Sequence, residues 1–133
     1  MGRFIIACLI VTSVATTATL AQEPPPKGPF KTVHLVTLTD AEAATIQNAI
    51  SDMNAAVAKA GHPDIRYRLY KVTGKQAGSF NYLWESAWPS GEVYRKVHDS
   101  PEWAANMKKN SGLDALMKNE IYNRYVEVVP KTP

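Results

Sequence analysis

The hydrophobic pattern changes period several times along the chain, and each change marks an element. Thr32 to Thr39, TVHLVTLT, is rich in β-branched residues and free of Asp, Glu, Lys and Arg, so it predicts a first strand. Apolar residues then recur at Ala43, Ile46, Ile50, Met53, Val57 and Ala60. Steps of three and four make one continuous helical stripe. Thr39-Asp40-Ala41-Glu42 opens that helix as a capping box, and Gly61 and Pro63 stop it. Ile65 to Val72, IRYRLYKV, alternates with period two and predicts a second strand. A glycine-containing loop, Thr73 to Gly78, leads to a third strand of alternating aromatics, Ser79 to Ser86. Pro89-Ser90-Gly91 breaks it, and Ser90 caps a short helix from Glu92 to His98. Ser100-Pro101-Glu102 is a stronger start: a capping serine, proline at the first helical position and an acid near the positive end of the dipole. This helix runs towards Lys118 with a bend or second cap at Ser111-Gly112, and Tyr122 to Val129 predicts a fourth strand.

The order β-α-β-β-α-β with a central hairpin is that of the ferredoxin-like split unit, an α+β fold. It predicts a four-stranded antiparallel sheet in the order 4-1-3-2 with two main helices on one face. The charges agree with central first and third strands. Arg66, Arg68 and Lys71 fall on the second strand, and Arg124 and Glu127 on the fourth, where edge charges also block unwanted pairing. Alternation assigns Val33, Leu35, Ile65, Tyr67, Leu69, Phe80, Tyr82, Trp84, Val126 and Val128 to the helix side. It leaves His34, Val36, Leu38, Arg66, Arg68, Tyr70, Asn81, Leu83, Glu85, Tyr125, Glu127 and Val129 on the open side. That set is too apolar for water, at about 1.5–3 kcal/mol per unburied aliphatic side chain. A homodimer through the open sheet face resolves the conflict.

Domain limits come from composition. Residues 1–21 have the three-part form of a secretory signal peptide: Arg3 as the only charge, an apolar run from Phe4 to Val11, and small residues at Thr19 and Ala21 before a cut. The run is shorter than the ~20 apolar residues that span a bilayer, so no stable membrane insertion is expected after cleavage. The product is expected to be periplasmic or secreted. Cleavage leaves 112 residues (133 − 21) and removes Cys8, the only cysteine, so disulfides, thiolate nucleophiles and sulfur-ligated metals are excluded from the mature chain. Residues 22–30, QEPPPKGPF, form a proline-rich lead read as a tether. The domain proper is 31–129, with a tail at 130–133. Fourteen basic and 12 acidic residues remain once Arg3 is gone. This balance gives no argument for a nucleic-acid partner.

The candidate chemistry is sparse. His34, on a central strand, is a candidate general base or ligand-orienting group; the alternative is a hydrogen-bonded histidine inside the dimer. Glu85 with Arg66 or Arg68 is either an acid/base pair or carboxylate clamp, or a structural ion pair. Tyr70, Asn81 and Tyr125 stand near them on the open set as candidate ligand-binding groups. Trp84, Trp88 and Trp103 either stack on a flat ligand or form the core of a strand–helix junction. His98 is either catalytic or a cation at a helix C-terminus. His34, His62 and His98 have no metal-ligand spacing, and no motif calls for a cofactor.

One stretch carries a family resemblance. A strand ending in YLWES, then WPSGEVYRKVHDSPEW, then a helix, resembles the dimeric α/β-barrel superfamily, and within it proteins related to antibiotic-biosynthesis monooxygenases. Glu85, Trp88, His98 and Ser100-Pro101-Glu102-Trp103 occupy places similar to that family's strand-end acid, aromatic, short-helix histidine and main-helix start. The resemblance spans roughly Lys31 to Val129. His98 stands about one residue from the usual family histidine. No histidine follows it, so the second-helix haem ligand of the haem-degrading members has no counterpart. The resemblance implies either an exported small-molecule-binding protein without a cofactor, or a cofactor-independent monooxygenase or isomerase acting on a small aromatic or polyketide-like molecule. A structural interaction domain without ligand is the third reading. A cavity with convergent polar groups favours the first two; a filled core favours the third.

Overall fold

A computed structural model describes residues 23–74 and 78–130. The signal-peptide expectation lies outside them. Eight elements follow in order: β1 (Phe30–Val36), α1 (Asp40–Lys59), β2 (Tyr67–Lys71), β3 (Tyr82–Trp88), α2 (Gly91–His98), α3 (Pro101–Lys109), α4 (Leu113–Met117) and β4 (Ile121–Tyr125). The strands form one antiparallel sheet in the order β2-β3-β1-β4, which is the expected 4-1-3-2.

The capping chemistry places the helices as the sequence implies. The Thr39 hydroxyl accepts from the Glu42 amide at 3.2 Å, and the Glu42 carboxylate accepts from the Thr39 amide at 2.7 Å. These hydrogen bonds hold the Glu42 carboxyl below its ordinary value, the backbone bond contributing most. Gly61 leaves α1 with φ +96°, a conformation that strains any side chain. Ser90 accepts from the Val93 amide and Ser100 from the Trp103 amide, each at 3.2 Å, starting α2 and α3. The second main helix is two pieces, since the chain turns at Asn110–Gly112 before α4.

The core lies between the sheet and α1. Ile46, Ile50, Met53 and Val57 of α1 meet Phe30, Val36, Tyr67, Tyr82, Trp84 and Trp88, with Val97 and Leu113 closing the other end. Asn54 of α1 clips β2 in place: its amide nitrogen donates to the Tyr67 carbonyl at 3.1 Å, and its oxygen accepts from the Tyr67 amide at 2.7 Å.

The register corrects the sequence reading of β1. Val33 pairs with Glu85 and Leu35 with Leu83, while His34 pairs with Trp84 and Val36 with Tyr82. Directly paired residues share a face, so Phe30, Thr32, His34 and Val36 face the helices, and Val33 and Leu35 face out with Arg68, Tyr70, Leu83 and Glu85. The reason is that β1 carries apolar residues at both phases. Alternation within Thr32–Thr39 therefore cannot orient it, whereas Phe30, where the strand starts, can. β4 is also shorter than expected. Val126 and Val128 lie beyond it and are 58% and 92% exposed, so neither belongs to the helix-side core.

The proline-rich lead is packed rather than free. A Cβ at Gly91 would stand 2.4 Å from the Pro26 carbonyl oxygen and 2.9 Å from that of Pro25. Glycine is what allows the lead to lie against the start of α2. The Glu23 carbonyl accepts from Arg124 of β4 at 2.5 Å.

Candidate functional site

A cavity of about 260 Å³ opens between the helix side of the sheet and α2, α3 and α4. Its walls are mainly aromatic: Trp84 from β3, Tyr67 from β2, Tyr94 from α2, Trp103 from α3 and Tyr122 from β4. Met53, Met107 and Met117 line it as well, and flexible thioethers adapt to ligand shape more readily than branched chains do. Thr32, His34, His98, Asp114 and Glu120 supply the polar groups. The volume is just under the 300–1,000 Å³ common for drug-sized ligands, which suits a molecule of one or two rings.

His34 reaches this cavity because of the β1 phase. Its ring stacks on Trp84 with centroids 4.3 Å apart and planes at 30°, and Tyr122 flanks it at 4.7 Å. Its Nδ1 hydrogen-bonds the Glu120 carboxylate. A carboxylate only accepts, so Nδ1 carries a proton, and in the neutral ring Nε2 then presents the lone pair. Both side chains are largely covered, at 16% and 26% exposure. Glu120 owes its position to the antiparallel β1–β4 pairing: Tyr122 lies opposite His34, and Glu120 immediately precedes the strand.

His98 is built differently, with both nitrogens engaged. Nδ1 donates to the Tyr94 carbonyl at 2.7 Å, and Nε2 accepts from the Tyr67 hydroxyl at 3.3 Å. Burial lowers its pKa, so the neutral ring is the stable form. Burial also pushes the Tyr67 phenol well up and the Tyr94 phenol up to about 12, which keeps both protonated. Tyr94 stacks on His98 at 3.9 Å, with Trp88 and Trp103 close by at 5.2 and 4.4 Å. His98 is therefore a fixed part of the cavity wall, with no free lone pair.

Tyr94 and Tyr122 are themselves braced. The Arg124 guanidinium sits 5.6 Å from one ring centroid and 5.7 Å from the other, and its Nε donates to the Tyr122 hydroxyl at 3.1 Å. Such cation–π contacts contribute about 0.5–1 kcal/mol each where solvent reaches them.

The candidates named from sequence divide between the two faces. His34, Trp84 and His98 line the cavity. Trp88 stands behind it, 2% exposed, its Nε1 donating to the Ser86 hydroxyl at 2.7 Å. Glu85, Arg68, Tyr70 and Tyr125 are on the open face. There Glu85 is reached by the Tyr70 hydroxyl at 3.4 Å and the Lys31 ammonium at 3.5 Å. Arg68 is its cross-strand neighbour. Arg66 precedes β2 and is exposed. Asn81 ties the strand ends together, its amide bonding the Leu38 amide and carbonyl at 2.9 and 2.8 Å. Glu120, Tyr67, Tyr94 and Tyr122 were missed by the sequence reading. An acid one residue before a strand antiparallel to β1 is the signal that points to Glu120. Among the described residues, no group of three His, Cys, Asp or Glu side chains could hold a metal ion.

No protein-family model matches this chain, and no curated protein matches it. Solved structures do. A dimeric ferredoxin-like protein of unknown function from Thermobifida fusca aligns at TM-score 0.51 and 13% identity, over 76% of this chain and 92% of its own. SnoaB, a cofactor-independent oxygenase from Streptomyces nogalater, aligns at TM-score 0.55 and 15% identity, over 80% and 99%. A candidate antibiotic-biosynthesis monooxygenase from Caulobacter crescentus aligns at TM-score 0.53 and 18% identity, over 77% and 92%. The chain therefore has the ferredoxin-like fold of these dimeric and monooxygenase-like proteins, as the YLWES–SPEW stretch implied.

Proposed function

We propose that this is an exported small-molecule-binding protein whose ligand, a small planar molecule, occupies the cavity between the sheet and α2–α4. The observation that carries the reading is the cavity itself: about 260 Å³ walled by five aromatic rings, with polar groups gathered at His34 and Glu120. A flat apolar body stacks on such walls, and a few placed polar groups orient it. The open space argues against a domain that merely holds structure. The N-terminal 21 residues support export to the periplasm or medium, and N-terminal sequencing of the mature protein is expected to begin at Gln22.

The protein works as a homodimer through the open face in this reading. Tyr70, Ile121 and Tyr125 are 44–49% exposed there, beside Val33, Leu35 and Leu83. The Thermobifida relative of the same fold is described as dimeric.

Thermal shift against a panel of one- and two-ring aromatics and matched aliphatic compounds tests the binding reading. Aromatics are expected to raise Tm, and Trp103→Ala to weaken the effect about tenfold. Equal response to both panels, or none, would remove the reading. A second reading, a cofactor-independent monooxygenase or isomerase on a small aromatic or polyketide-like substrate, is supported by the likeness to the Streptomyces oxygenase. Oxygen uptake with a bound phenolic compound and no added cofactor distinguishes it from simple binding.

A further inference from the structure

The cavity contains one group whose state is set by its neighbours and whose reactive atom is left free. His34 Nδ1 is committed to the Glu120 carboxylate. Nε2 has no hydrogen-bond partner among the described residues, yet it is not among the buried unpartnered atoms, which are Trp84 Nε1 and Asn106 Nδ2. The ring lines the cavity, so Nε2 is open to whatever occupies it. The ring cannot turn easily, because Trp84 stacks on it and Tyr122 flanks it. His98 provides the contrast within the same cavity, since both of its nitrogens are engaged.

We infer that His34 is a catalytic base held by Glu120, and that the cavity takes a small planar acid, either a phenol or enol or a carbon acid whose conjugate anion is delocalised over the ring. This rests on the cavity being a ligand site. In the step, the O–H or C–H bond of the bound acid breaks, the proton passes to His34 Nε2, and the electron pair stays on the ligand as its conjugate anion. The imidazolium so formed keeps its Nδ1 proton and donates it in a hydrogen bond to the Glu120 carboxylate, whose negative charge stabilises the cation. Nothing is oxidised or reduced, and proton return reverses the step. Glu120 is a positioning residue: it fixes the tautomer and the ring angle and does not touch the ligand.

Two probes separate base chemistry from binding. 4-Nitrophenol reports occupancy of the cavity through its absorbance. 5-Nitrobenzisoxazole reports base strength: removal of its ring proton breaks the N–O bond and releases a coloured phenolate, with no cofactor needed. The full mature chain is expected to bind the first and open the second. His34→Gln, whose amide still donates to Glu120, is expected to lower kcat about 100-fold, within the range of general-base catalysis. Glu120→Gln is expected to lower kcat at least tenfold with KM within twofold, and Glu120→Asp to regain part of it. A purely structural role would not produce that split or that rescue. His62→Gln, an unrelated histidine in the turn after α1, is expected to match wild type. If Glu120→Gln does not fold, the His34→Gln comparison carries the test. Ring opening no faster than in His34→Gln, or full kcat in Glu120→Gln, overturns the base while bound 4-nitrophenol leaves the binding reading standing. Absence of 4-nitrophenol binding to wild type removes the binding reading and this inference together.

Discussion

Each face of the sheet carries a pairing of basic and acidic groups, and the two differ in kind. On the open face the Lys31 ammonium stands 3.5 Å from Glu85, with the lysine side chain 55% exposed. In the single protomer water and salt screen such a pair, and exposed pairs contribute about 0–1 kcal/mol. On the closed face His34 and Glu120 meet beside stacked rings with little solvent. That pair selects which imidazole nitrogen carries the proton. Base–acid pairings on the two sides of one sheet thus do unrelated things, and the difference comes from which side the strand phase presents to the helices.

The comparison breaks most sharply at Trp88. It is 2% exposed, hydrogen-bonded to Ser86, and in edge contact with Tyr67 and Tyr94. Trp88→Ala is expected to cost about 3–5 kcal/mol in denaturant unfolding. A loss below 1 kcal/mol would mean that the closed face is not the core.

On the open face Leu83→Asp is the matching probe. Leu83 lies between Leu35 and Tyr70 in the register. Placing a charge there is expected to weaken self-association at least tenfold, about 1.4 kcal/mol, with secondary structure kept. Light scattering over a concentration series checks it, and an unchanged mass in the variant would place the interface elsewhere.

His98 sharpens the contrast through pH. Its folded-state pKa lies below the ordinary 6.5 because burial disfavours the cation. The unfolded chain therefore binds the proton more readily. The stabilisation is complete above about 6.5 and is lost as pH falls through that value towards the folded pKa. His98→Gln is expected to flatten the slope of unfolding free energy against pH in that window. The smallest effect is expected from Glu85→Gln, within about 0.5 kcal/mol; a larger loss would make the open-face pair a real contributor to stability.

Local chemistry was the legible part. Thr39 to Glu42 and Ser100-Pro101 announce helix starts because capping needs only neighbours along the chain, and the structure has both. Strand order was legible because the β-α-β-β-α-β succession of elements admits that arrangement, and the arginines Arg68 and Arg124 fall on its edge strands. The phase of β1 was not, since Val33 and Leu35 compete with Val36 and Leu38 on equal terms within that segment. That single ambiguity misplaced His34 to the open face. It also concealed Glu120, whose partnership depends on β4 pairing with a strand 86 positions earlier in the His34–Glu120 contact. The aromatic residues of Tyr82–Trp103 admit two readings from sequence, ligand platform or junction core, and Trp84 and Trp103 serve as both core and cavity wall.

The absence of a side chain at Gly91 bears on where the domain begins. The lead rests in the space that a Cβ would fill, and its Glu23 carbonyl engages the same Arg124 that braces Tyr94 and Tyr122. A chain shortened to start at Phe30 would keep every strand and helix and still lose the outer support of two cavity walls. A fusion joined ahead of Glu23 would preserve it. For anyone preparing this protein, the first described residue that braces the cavity walls lies seven positions before the first strand.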